Sequence, residues 1–148
     1  MITDKFEEVF KVIHGYLTDE SAYSPLVTKN APLKPTIFPV VEVKSNEITG
    51  DTTTRDEEVI NVLNITINIY AIEKVMTKTI EEVETSYKVS GMQIANELIK
   101  LIDEAMVEMH FTLLDNREVE NIDKNVYRKL LRYTAGVDTR TNKIIRRK

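Results

Sequence analysis

The sequence predicts an α+β domain: a mostly antiparallel sheet packed by an N-terminal helix and a long helix, with an extended hairpin. Three observations carry this. From Leu63 on, EVINVLNITINIYA alternates apolar and polar residues, as a half-buried strand does. Two other stretches space their apolar residues three and four apart, as amphipathic helices do. The last stretch, NVYRKLLRYTAGVDTRTNKIIRRK, interleaves charge with apolar residues rather than excluding them, which fits closing strands better than a solvated tail.

The elements follow in order. Phe6, Val9, Phe10, Ile13 and Leu17 lie on one helical face, with Asp4 and Glu7 in capping-box positions and Gly15 as the expected stop. Residues 18–35, with prolines at 25, 32 and 35, predict a long polar connector. IFPVVEVK predicts a strand, pushed to a sheet edge or a bulge by Pro39. SNEITGDTTTRDEE predicts a polar loop. In the strand that follows, Leu63, Ile65, Ile67, Ile69 and Ala71 share one face, and Val62, Asn64, Thr66, Asn68 and Tyr70 the other. Residues 59–71 as one strand would span roughly 43 Å at ~3.3 Å per residue, more than a small core needs, so part of this hairpin is expected to project.

From residue 79 the apolar period changes. Ile80, Val83, Tyr87, Ile94, Leu98, Leu101, Ile102, Ala105 and Met109 predict one long helix, or two hinged at Ser90-Gly91. HFTLLD then predicts a short strand and NREVENIDKN a connector. Residues 125–135 allow a helix capped by Asp123 and stopped by Gly136. As a strand they place Tyr127, Lys129, Leu131, Tyr133, Ala135 and Val137 on one face, with Arg128 and Arg132 on the other. The strand is preferred because it also uses Ile144 and Ile145 after a TRTN turn.

Composition narrows the function classes. The 148 residues are 42 % hydrophobic and 30 % charged, in the range of one folded domain spanning 1–148. There is no cysteine, so disulfides and thiolate metal sites are excluded, in keeping with a reducing cytoplasm. The acidic amphipathic start lacks the pattern of a secretion signal. No apolar run reaches the ~18 residues of a membrane span, so no membrane partner is expected.

No catalytic constellation stands out, and the chain is not expected to be an enzyme or to carry a cofactor. His14 and His110 are the only histidines, without a nucleophile motif around them. The four glycines, at 15, 50, 91 and 136, build no phosphate loop. The acidic cluster Asp51, Asp56, Glu57 and Glu58, with Arg55 among it, lacks the spacing of a calcium loop and is read as solvated, not as a metal site.

Charge is unevenly distributed. Residues 124–148 hold nine Lys or Arg against Asp138 alone, +8, while the net charge of −4 leaves −12 for residues 1–123. A polyanion-binding end would use Arg128 and Arg132 with Tyr127 and Tyr133. The alternative is a basic face meeting an acidic face of a neighbouring copy, head to tail, which closes into a ring. Arg128, Arg132, Arg140, Arg146 and Arg147 are the candidate interface residues.

In its order of elements, from the N-terminal helix through IFPVVEVK, the polar loop, NITINIYA and the long helix to the YRKLLRYTAGVD…KIIRR pair, the chain resembles the tail terminator, or tail-completion, proteins of long-tailed bacteriophages and prophages. Related neck and minor capsid proteins share much of this order. The resemblance implies a virion protein assembled in the bacterial host cytoplasm, a ring homo-oligomer, commonly a hexamer. Its implied partners are the tail-tube protein and the head-completion or connector protein, with DNA passing through unread. By that analogy Asp51, Arg55, Asp56, Glu57 and Glu58 would face the lumen or one ring face, where acidic walls would not retain a polyanion.

Overall fold

The computed structural model describes residues 2–20, 23–31, 35, 37–53, 59–120, 123–138, 141 and 143–144. In chain order the elements are α1 (Ile2–Glu20), β1 (Leu26–Thr28), β2 (Val40–Thr53), β3 (Val59–Ala71), β4 (Lys74–Ile80), β5 (Val83–Val89), α2 (Gly91–Glu108), β6 (Thr112–Val119), β7 (Tyr127–Asp138) and β8 (Lys143–Ile144). The fold is α+β, as the alternation and helical spacing predict.

One sheet has the order β1-β2-β3-β7-β6, with β8 also pairing β7. All its pairings are antiparallel except β1 with β2. Both helices cover one face. Val9, Ile13 and Leu17 of α1 and Ile94, Leu98, Ile102 and Met106 of α2 are buried against Val41, Val43, Ile65, Ile67, Ile69, Leu131 and Tyr133. These strand residues share the face that alternation predicts for them.

Three phenols tie α2 to its surroundings. Tyr133 on β7 donates to Asp103 at 2.8 Å, Tyr23 donates to Glu97, and Tyr16 on α1 donates to Glu108. Each carboxylate accepts a hydrogen bond from a different part of the chain. Burial first, then the bond to Asp103 and its charge, raise the Tyr133 phenol well above its ordinary range. The same causes, with Glu97 as the partner and Tyr87 adding to them, push Tyr23 up to about 12.

Several expectations are corrected. Gly15 does not stop α1, which runs on to Glu20, because Ile13 and Leu17 on either side of it are both fully buried and packing outweighs a local helix propensity of about 1 kcal/mol. The helix also begins at Ile2, ahead of the expected cap. The expected connector contains β1, whose Leu26 amide donates to the Pro39 carbonyl at 2.9 Å. The loop expected over residues 45–58 is largely strand: β2 continues to Thr53 and pairs β3 down to Thr53↔Val59, with a register shift between Ile48 and Thr52.

The long helix expected from residue 79 starts only at Gly91. Residues 74–89 form a separate two-stranded hairpin. Ser90 is no hinge but the N-cap of α2, its Oγ accepting from the Gln93 amide at 3.1 Å. β6 extends to Val119, through the first part of the expected connector. Residues 127–138 are strand, so the helix alternative falls. His110 has φ 67° just after α2; its amide donates to Val107 and the Phe111 amide to Met106. That is a Schellman cap with buried Phe111 as its apolar clasp.

Candidate functional site

The sheet face opposite the helices carries the polar members of the alternation, and strand register arranges them in rows. Val40, Tyr70 and Arg128 form one row, Glu42, Asn68 and Leu130 the next, and Lys44, Thr66 and Arg132 the third. On β6, Val119, Arg117 and Asp115 continue these rows.

A chain of hydrogen bonds crosses the first two rows. Arg128 Nη2 donates to Asn68 Oδ1 at 3.0 Å, and its guanidinium lies over the Tyr70 ring, 5.1 Å from the centroid. Asn68 Nδ2 donates to Glu42 Oε1 at 3.2 Å, and Glu42 Oε2 accepts from the Ala31 amide at 2.7 Å. Lys44 Nζ stands 3.5 Å from the same oxygen. Glu42 and Asn68 are the two buried polar residues among those described, at 4 % and 6 % exposure. A buried carboxylate is tolerated because these groups satisfy it. Burial raises the Tyr70 phenol, with Arg128 opposing and Glu42 adding to the rise.

Arg128 is therefore committed within its own subunit. Its Nε is buried and has no hydrogen-bond partner among the described residues. Within this chain, Asn68 and Tyr70 hold its half-buried guanidinium. Arg132 is different. It lies exposed on the outer face, four residues on and in the third row. Arg140, Arg146 and Arg147 lie outside the described residues, as do Arg55, Asp56, Glu57 and Glu58. Asp51 lies on β2, inside its register shift, rather than in a loop.

The nucleic-acid platform expected from Tyr127, Arg128, Arg132 and Tyr133 does not assemble. Tyr133 is buried beneath α2 on the helix-covered face, opposite Arg132. Among the described residues no group of three or more His, Asp or Glu is placed to hold a metal ion. No described helix is long and apolar enough to cross a membrane. His14 is exposed on α1, its ring 6.3 Å from that of Phe10.

Two features went unread in the sequence. The Glu42–Asn68 pair was signalled by a lone acid in VVEVK and two asparagines in NITINIYA, but pairing them requires the strand register. The β4–β5 hairpin places Val75, Ile80, Val83 and Tyr87 in solvent at 47–63 % exposure. No protein-family model matches the chain, and no curated protein is significantly similar to it.

Proposed function

We propose that this chain is a virion assembly protein, a tail terminator or tail-completion protein that forms a ring, caps the tail tube and joins it to the head connector. One observation carries the reading: the fold is one-sided. Two helices cover one sheet face, while the far row of the other face leaves Lys44 and Arg132 exposed and a hairpin arm carries exposed apolar residues. Such a subunit fits lateral assembly into a closed ring, in which each copy offers one surface and accepts another. Arg132 remains the interface candidate, and the acidic β2 segment around Asp51 the candidate for a lumen or ring face.

A head–tail joining role is the nearest alternative, and one experiment separates the two. Deleting the gene from its phage or prophage gives overlong or irregular tails, seen by electron microscopy, if the protein stops tube growth. Tails of normal length beside unattached heads would instead support a joining protein, and normal virions would sink both. The nucleic-acid reading has less support, since Arg128 is held by Asn68 and Tyr70.

A further inference from the structure

Among the described residues, the outer part of the β4–β5 hairpin has an apolar face with no partner. Cross-strand register puts Met76 opposite Tyr87, Lys78 opposite Thr85 and Ile80 opposite Val83 on that face. At its base, Val89 is buried and Met76 packs against the core, and Lys74 Nζ donates to the Tyr23 carbonyl at 3.1 Å. Further out, Tyr87, Ile80 and Val83 are 47 %, 54 % and 63 % exposed. An isolated two-stranded ribbon is marginal in water. Its end carries Glu81, Glu82 and Glu84 around the Ile80–Val83 pair, so the tip is acidic and apolar together.

The outer sheet face has the complementary character. Lys44 and Arg132 are both exposed and flank Thr66 in one row, two strand spacings or roughly 10 Å apart. Half-buried Leu130 and exposed Arg117 lie in the adjoining row. The acid in the third row, Asp115, is paired with Arg117 at 3.3 Å. The hairpin is rooted on the helix-covered core, whereas the face that complements its tip is the opposite one.

We propose that the β4–β5 hairpin of one copy docks its tip on the outer sheet face of a second copy, with Ile80 and Val83 over Thr66 and Leu130 and the tip carboxylates between Lys44 and Arg132. The inference rests on the ring reading and names the contact that would build it. It is a heterologous contact, the kind that closes into rings.

The absence of cysteine permits a direct test. Glu81→Cys and Thr66→Cys proteins are mixed, oxidised mildly and run on non-reducing gels, with Lys100→Cys on the exposed side of α2 in place of Thr66→Cys as control. Light scattering gives the mass of the same wild-type protein. The 81–66 adduct is expected to exceed the 81–100 adduct by about tenfold, and to fall to the control level when Lys44→Glu and Arg132→Glu are added to the Thr66→Cys chain. Changing Glu82 and Glu84 to Lys on the partner should restore it. An oligomer whose 81–66 adduct stays at the control level overturns the docking and leaves the ring standing. A monomer at every concentration, again with control-level adduct, overturns both. Duplex DNA binding that is lost with Lys44→Glu and Arg132→Glu, without the adduct, would make the outer face a polyanion surface and overturn the docking.

Discussion

Gly15 and Gly91 occupy helices with opposite consequences. A Cβ at Gly15 would meet nothing within 4 Å, whereas one at Gly91 would stand 2.7 Å from the Ala71 carbonyl oxygen and 3.2 Å from Tyr127 Cβ. Gly15→Ala should therefore raise stability by about 0.5–1 kcal/mol, the helix-propensity difference, while Gly91→Ala should lower it, because backbone rather than a flexible side-chain end must give way. Urea unfolding of the two variants checks both signs; a loss at Gly15 would show that its outer surface is already in close contact. Tyr133 offers a test by pH. Its phenol is raised above the unfolded-state value near ~10, so the unfolded chain releases its proton first. The stability it contributes is complete below pH ~10 and is lost as pH rises through the folded value. Tyr133→Phe should cost about 1 kcal/mol at neutral pH and flatten the alkaline loss. An unchanged alkaline unfolding curve would assign that loss to the other raised phenols, Tyr23, Tyr70 and Tyr127.

At the scale of elements, the hairpin of residues 74–89 shows how a period can mislead. Ile80, Val83 and Tyr87 fall at helical spacing and run into the true α2 pattern, yet residues 75–89 are dense in Val, Ile and Thr, which favour pleated strands. The turn between the strands hid them further. Glu81 and Glu82 hold φ 50° and 67°, a left-handed pair that two-residue hairpin turns ordinarily assign to Asn-Gly. Replacing Glu81-Glu82 by Asn-Gly should stabilise the hairpin by about 1 kcal/mol, read as slower amide exchange across β4 and β5. If the acidic tip docks as proposed, the same change weakens self-association while strengthening the monomer. Faster exchange would show that the two glutamates are favourable where they are. In the β2–β3 hairpin the error ran the other way: threonines and acids suggested a loop, but paired backbone continues to Thr53 and Val59, past Leu63, the last β3 residue of the described core.

Across the whole molecule, the described part of the basic last stretch is built into the sheet rather than left as a tail. Its first part is β7, a strand paired on both sides, to β3 and to β6, and its charges divide between the two faces. Lys129 lies on one and reaches Asn116 Oδ1 at 3.4 Å; Arg128 is bound internally, and Arg132 is exposed on the other. The proposed contact would set an acidic hairpin tip on a cationic row. Because both charged groups would be at a rim, added salt should weaken assembly, whereas the apolar Ile80–Val83 contribution should persist.

What the sequence by itself determined rests on residues near one another along the chain: the alternation of β3 and its inward face, the helical spacing in α1 and α2, and the lack of cysteine. Only the tertiary structure decided whether Gly15 ends a helix, since burial of Ile13 and Leu17 outweighs local propensity. It also decided that residues 79–89 leave the helix pattern, and that Arg128 and Arg132, four residues apart on one face of one strand, part company. Arg128 meets Asn68 and Tyr70 because β3 runs antiparallel beside it in that register; Arg132 has Thr66 opposite and stays in solvent. Register is a relation between distant segments, and no local pattern contains it.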